Sequence, residues 1–237
     1  MNLPVGKFYI IPILFSWLSV SSCILIPAEK PLNPRLLFTL GSEFLENTES
    51  IAVKGAIDFE DDYNRESGSF NLIINRGDSL AFLIEGPFKI DIFRLIIVNQ
   101  TAFAIDRESD TWTVAATDEK LIIPDYGIRG ITPDLLGHYI FPQFYLSGDS
   151  RFNSDNMTIS KDGYVFHLNP SRDQKSFTLT SAEQDLSAVY SRRKDTGGGY
   201  YPSKIAISPH DESWRISLEI DRIKLNPEIP ARIWDRD

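Results

Sequence analysis

The feature that most constrains the fold is a period of two in the apolar residues, which begins at Ser50 and recurs along most of the chain. Short segments rich in Ile, Val, Phe and Thr alternate apolar and polar positions, as half-buried strands do. Short polar turns separate them, so neighbouring strands are expected to be antiparallel. The segments predicted as strands are 50–59, 66–75, 79–85, 89–98, 101–106, 111–115, 157–160, 163–169, 174–180, 203–208 and 213–224.

Two segments lack this period and are predicted as helices. In 35–47 the apolar residues recur at helical spacing, after Asn33 as a cap residue and Pro34 at the first helical position. The segment 132–146 also begins with a capping threonine and a proline, and Pro142 is expected to interrupt it. The second segment is rich in aromatic and aliphatic residues, so it has to pack on an apolar surface.

The fold predicted from this order of elements is mainly β, of the α+β class. About eleven antiparallel strands form a sheet large enough to curl, and open edges would invite mispairing. We therefore expect an incomplete antiparallel β-barrel with a helical lid over one face. Residues 181–193 fit either element. Ser181 and Gln184 resemble a helix capping box, whereas apolar residues alternate from Leu186 onward.

The N-terminus is typical of a secretory signal peptide. Lys7 precedes an apolar run at 8–18, which is shorter than the ~20 residues that a membrane-spanning helix needs. The residues Ser-Val-Ser-Ser then precede Cys23, and this pattern resembles the lipobox of bacterial lipoproteins. Cys23 is also the only cysteine in the chain. The alternatives are a chance cysteine at the end of the apolar run, or an uncleaved anchor.

In the lipoprotein interpretation the chain has three parts. Residues 1–22 are a signal peptide, 23–34 form a lipidated tether, and 35–237 form one domain. Two or more acyl chains on Cys23, such as palmitate, would anchor the protein stably, because one chain alone binds only reversibly. Ile24 follows the cysteine, which favours the outer membrane, facing the periplasm, over the inner membrane.

Charge and motifs exclude several classes of function. The net charge of −9 opposes binding to nucleic acid and to an anionic bilayer, so membrane attachment has to be hydrophobic. His138, His167 and His210 are far apart in sequence and lack metal-ligand spacing. Motifs for a nucleophile elbow or a phosphate loop are absent from the sequence. We expect no enzyme activity, no catalytic residue, no metal site and no cofactor.

Four stretches resemble a known family, the lipoprotein carrier LolA, its receptor LolB and the LolB-like lipoproteins. The stretches 53–59, 80–88 and 91–95 are similar to the first strands of LolB, and 201–207 before the long last strand is similar to its end. The resemblance implies an incomplete barrel with a helical lid and a hydrophobic cavity for the acyl chains of other lipoproteins. It also implies that Pro87 and Phe88 form a loop that inserts into the membrane. The alternative for Phe88 is packing under its own hairpin.

A hydrophobic cavity is also favoured by large apolar residues at alternate strand positions and in the second helical segment. A curved sheet with such a face has to bury it against helices or enclose a ligand. The alternative is a filled core. The candidate cavity residues are Phe82, Ile84, Ile92, Phe103, Trp112, Phe141 and Phe144.

The function expected from the sequence is therefore that of a monomeric, membrane-anchored lipoprotein of the cell envelope. It would bind acyl chains of lipoproteins or lipids as cargo in a hydrophobic cavity and assist their transfer to the membrane. The alternative is a non-catalytic envelope scaffold that binds a protein partner. An apolar patch outside a filled interior would mark such a scaffold.

Overall fold

A computed structural model shows a mainly antiparallel β fold. It describes residues 32–34, 47–75, 79–106, 111–117, 121–123, 128–131, 133–142, 151–153, 155–161, 164–181, 185–196 and 199–234. The predicted signal peptide 1–22 and Cys23 lie outside the described residues, as does the predicted helix 35–47 apart from Asn47. Of the predicted tether, only 32–34 is described.

The described residues contain fifteen strands. Their bounds are β1 Ser50–Asp61, β2 Arg65–Asn75, β3 Ser79–Glu85, β4 Asp91–Val98, β5 Thr101–Asp106, β6 Thr111–Ala116, β7 Leu121–Ile123, β8 Ile128–Ile131, β9 Arg151–Asn153, β10 Thr158–Lys161, β11 Tyr164–Pro170, β12 Ser176–Ser181, β13 Leu186–Thr196, β14 Gly199–Pro209 and β15 Trp214–Leu225.

Thirteen of the strands form one open sheet, in the order β6-β5-β4-β3-β2-β1-β15-β14-β13-β12-β11-β10-β9. The first and last long strands, β1 and β15, pair in its middle and join the two halves of the chain. Strands β7 and β8 form a separate two-stranded sheet. The sheet is not closed into a barrel, and its edges are β6 and β9.

The strand count corrects the sequence prediction of about eleven. Three of the added strands, β7, β8 and β9, have only three or four residues, too few for alternation to be recognised. The fourth is β13, which shows that the ambiguous segment is a strand from Leu186 onward. Tertiary pairing decided this segment, since β13 lies between β12 and β14.

One α-helix, α1, is described, at Pro133–Ile140. It begins at the predicted proline and ends before Pro142, as expected from the helix-breaking effect of that residue. The ring of Tyr139 packs edge-on against Phe166 of β11, with 6.3 Å between ring centroids. A helical lid is not established by this single eight-residue helix within the described ranges.

The sheet has two faces, which we call the first and the second. The first face is the one that α1 covers, and it carries a continuous apolar cluster that includes residues from β1 to β5 and from β10 to β15. Leu32, within the predicted tether, is fully buried in this cluster, and its backbone N–H donates to the Gln174 carbonyl at 2.9 Å. The second face carries the alternate residues of each strand.

Candidate functional site

The first face is packed by aromatic side chains on the C-terminal strands. Phe177 of β12 and Tyr190 of β13 stack with 4.6 Å between ring centroids. The Tyr190 hydroxyl donates to the backbone carbonyl of Tyr139 at 2.5 Å, and the Tyr139 hydroxyl donates to the Leu186 carbonyl at 3.4 Å. These contacts fix α1 to the sheet.

Burial keeps both phenols neutral. Desolvation raises the pKa of Tyr190 well above its usual value, and the neighbouring Tyr139 raises it further. Desolvation also raises the pKa of Tyr139. Both groups therefore act as hydrogen-bond donors over the whole physiological pH range.

Three of the predicted cavity residues lie in the first-face cluster. Phe82 and Ile84 of β3 are each 4% exposed, and Phe141, just after α1, is buried with them. Ile92 of β4 is partly buried and packs against the same cluster. Phe144 lies outside the described residues. The structure thus brings four of the seven residues to one apolar cluster.

Phe103 does not belong to that group, which corrects the prediction. It pairs with Ile96 of β4, and Ile96 pairs with Ala81 of β3. Because paired residues share a face and neighbours along a strand alternate, Phe103 lies on the face opposite to Phe82. Trp112 pairs with Ile105, which lies two residues from Phe103 on β5. Its register position is therefore on the same face as Phe103. The predicted residues therefore do not line a single surface.

The second face is apolar only over strands β2 to β6. Here a cross-strand row joins the buried residues Ile73, Ala81, Ile96 and Phe103 to the exposed Val114. Over β11 to β15 the second-face residues are mainly Ser, Thr and charged residues, and most are half-buried or exposed. Sequence reasoning missed this second apolar layer. Its signal was the consecutive apolar residues at 72–74 and 95–97, which predict strands buried on both faces.

The loop between β3 and β4 presents a phenylalanine to solvent. Phe88 is 96% exposed in the short turn Pro87–Lys89, and Ile90 beside it is 64% exposed. The Gly86 N–H donates to the Ile90 carbonyl at 2.9 Å and closes the loop. A Cβ at Gly86 would lie 2.5 Å from Cδ1 of Ile92, so only glycine fits there without a shift.

The same loop is strained. Phe88 and Lys89 have φ values of 62° and 60°, in the left-handed region that residues with a Cβ rarely adopt. This conformation costs roughly 1–2 kcal/mol per residue. Seven other non-glycine residues in the described ranges, including Asn99 and Gln100 between β4 and β5, also have positive φ values, so the strain alone does not mark a functional site.

The β1–β2 turn forms a second exposed tip at the same end of the sheet. The Asp61 carboxylate accepts from the N–H groups of Tyr63 and Asn64, at 2.8 Å and 2.7 Å, and Tyr63 is 91% exposed. A groove of about 200 Å³ lies between this tip and the β14–β15 turn. Its lining is mainly polar and acidic, and comprises Glu60, Asp61, Asp62, Ser208, Glu212, Trp214 and Arg215.

Metal-binding clusters and membrane-spanning helices are both absent from the ranges that the structure describes. His, Cys, Asp and Glu side chains in these ranges do not gather in groups of three or more that would hold a metal ion. None of the helices in the same ranges is both long and apolar enough to cross a bilayer.

Comparison with known proteins gives likenesses in structure alone. Neither a family model nor a curated protein matches the chain. A DUF1329 family protein from Desulfovibrio piger and a LolA superfamily protein from Nitrosomonas europaea each have a TM-score of 0.48, with 6% and 11% identity. Each likeness covers 87% of this chain and 98% of the other. An outer membrane lipoprotein-sorting protein domain from Vibrio parahaemolyticus has a TM-score of 0.46 and 8% identity, covering 83% and 95%.

Proposed function

We propose that this chain is an envelope lipoprotein, anchored through acylated Cys23, which binds acyl chains of lipoproteins or lipids and assists their transfer to a membrane. The observation that carries the proposal is the strained β3–β4 loop, which holds Phe88 almost fully in solvent. The proposed location is the outer membrane, facing the periplasm.

The energetics of Phe88 favour contact with a membrane. Burying a phenylalanine side chain stabilises by about 1.5–3 kcal/mol, and this loop forgoes that gain in solution. The left-handed backbone at Phe88 and Lys89 adds a steric cost that glycine at these positions would avoid. Insertion of the ring into the acyl boundary of a bilayer would recover the burial energy.

The proposed cargo surface is the first face of the sheet. Its apolar cluster is continuous across the open sheet, and α1 covers it at β11 and β13. An acyl chain entering there has to displace apolar contacts such as that between Tyr139 and Phe166. Because lipid tails are as apolar as the side chains they replace, this exchange costs little hydrophobic energy.

Transfer assays on the full acylated chain test the proposal. A labelled lipoprotein is loaded, acceptor vesicles are added, and the label in the vesicles is measured. We expect Phe88→Ser to lower transfer strongly. Val114→Ser, which removes an exposed apolar side chain on the edge strand β6, is the matched control and should retain transfer. Equal transfer by both variants would contradict the proposed role of Phe88 in transfer.

The anchor and the cargo need separate measurements. Mass spectrometry of the protein from its native membrane should find acylated Cys23 and co-purifying lipid or lipoprotein. Cys23→Ala should abolish acylation and release a soluble or uncleaved form. If no lipid or lipoprotein co-purifies, and depletion leaves lipoprotein sorting intact, the carrier proposal fails.

A scaffold that binds a protein partner is the second candidate. It is favoured by Val114, which is 62% exposed on the edge strand β6. This strand carries neither charge nor proline, the usual protections of a sheet edge. Val114→Lys would weaken capture of a partner in this case and leave lipid transfer unchanged.

A further inference from the structure

The β1–β2 tip lies beside the Phe88 loop and reaches farther than it. Ser69 of β2 pairs with Glu85, the last residue of β3, so residues 65–68 of β2 continue past the end of β3. At about 3.4 Å per residue, the tip projects roughly 14 Å beyond that end. The two strands are neighbours, about 4.8 Å apart. A surface that contacts Phe88 therefore also meets the β1–β2 tip.

This tip is acidic. Glu60, Asp62 and Glu66 are exposed, and Asp61 lies among them at the turn. Arg65 is the basic residue within the tip. The groove behind the tip adds Glu212 and is partly balanced by Arg215. Carboxylates thus outnumber cationic groups where the molecule would meet a membrane.

Screening makes these local charges decisive. At physiological ionic strength the Debye length is about 8 Å, so charges elsewhere on the molecule have little effect at the membrane surface. An anionic leaflet has a surface potential of about −30 mV, and each charge close to it contributes an appreciable free energy. Since the apolar contact is small, with Phe88 and Ile90 in the loop and Tyr63 at the tip, a few repelled carboxylates can outweigh its insertion.

We propose that the acidic β1–β2 tip restricts insertion of the Phe88 loop to membrane surfaces without net negative charge, that is, to zwitterionic lipid. The inference rests on the proposed membrane contact of Phe88 and adds the class of surface that this contact accepts. The single positive charge of Lys89 beside Phe88 is too small to reverse the sign of the local net charge.

A fluorescent reporter in the loop tests this on the full acylated chain. Ile90→Cys introduces a free thiol, because the single native cysteine is the acylated Cys23, and an environment-sensitive NBD dye is attached to it. The protein is placed in vesicles of phosphatidylcholine, or of phosphatidylcholine mixed with phosphatidylglycerol. We expect a blue shift of NBD emission in the first and about tenfold or greater loss of the inserted fraction in the second.

Two triple variants distinguish the effect of the charges at the tip from the effect of the net charge of the whole protein. Glu60→Gln, Asp62→Asn and Glu66→Gln together should restore insertion into the anionic vesicles; Asp61 is retained because it caps the turn. The matched control is Glu49→Gln, Asp221→Asn and Glu228→Gln, which changes the net charge equally at exposed sites outside the tip. The control should behave as the wild type. Added salt should restore wild-type insertion.

The outcomes distinguish this inference from the proposed function. Equal blue shifts of the wild type in both vesicle types, or equal restoration by both triple variants, would overturn the charge restriction and leave membrane contact intact. The absence of a blue shift in either vesicle type would overturn the membrane contact of Phe88 itself.

Discussion

The second face of the sheet differs between its two halves, although the first face is the same in both. Over β2 to β6 it carries a buried apolar row, whereas over β11 to β15 it is polar and accessible. The difference lies in the strand sequences. Strand β12 alternates apolar and polar residues, while β4 has apolar residues at consecutive positions. One continuous sheet thus combines strands buried on one face with strands buried on both.

The difference also bears on function. The half formed by β11 to β15 can present a polar surface to water while its other face holds apolar groups. The half formed by β2 to β6 carries the strained loop of Phe88 between β3 and β4. A strained loop persists only when the surrounding structure determines its conformation, and strands packed on both faces provide that support.

A charge placed on the second face is expected to affect stability most. Ile96→Lys puts an ammonium group at a site that is 1% exposed. We expect it to lower the free energy of unfolding by about 5 kcal/mol, which is close to the whole stability of a domain. Val189→Lys on β13, a half-buried site on the same face, should be tolerated because lysine reaches water there. Urea unfolding followed by circular dichroism measures both. Similar losses would show that the two halves do not differ.

A smaller effect is expected on the first face over β11 to β15, where the packing implies that water is excluded. Tyr190→Phe removes the hydroxyl that bonds to the Tyr139 carbonyl and should cost about 1 kcal/mol at neutral pH. The raised pKa of Tyr190 means that the folded protein keeps its proton where the unfolded chain loses it. Stability is therefore fully present below the unfolded pKa of about 10 and is lost as the pH rises above it.

Alkaline titration of unfolding gives the readout for Tyr190. The wild type should lose stability above about pH 10, and Tyr190→Phe should lose less over the same range, because Tyr139 alone remains to titrate of this pair. Identical alkaline profiles would mean that Tyr190 is accessible to water.

Strand positions were largely predictable from the sequence, but faces were not. Predicted strands 79–85 and 101–106 coincide with β3 and β5, because turn residues bound each apolar run. The face of Phe103 depends instead on register, which the two-residue turn at Asn99 and Gln100 sets through its positive φ values. Within strands that are apolar on both sides, alternation carries no information about which face is which.

The candidate site likewise has features that the sequence predicts and features that depend on strand pairing. That 86–90 forms a turn was predictable from Gly86 and Pro87, and the resemblance singled out Phe88 within it. The strain at Phe88 and the reach of the β1–β2 tip depend on strand offsets that only pairing reveals. From the sequence alone, the acidic run at 60–62 is typical of a solvated turn.

The smallest expected effect concerns a polar residue within the apolar second face. Asn71 of β2 precedes Ile73 on this face, and its Oδ1 is buried with no hydrogen-bond partner among the described residues. Asn71→Leu removes the unpaired acceptor and extends the apolar row, so it should leave stability unchanged or raise it by about 1 kcal/mol. The matched change on the polar half is Asn169→Leu on β11, which is exposed and should have almost no effect. Urea midpoints compare the two, and a clear loss of stability in Asn71→Leu would show that the Asn71 amide makes a polar contact that this face needs.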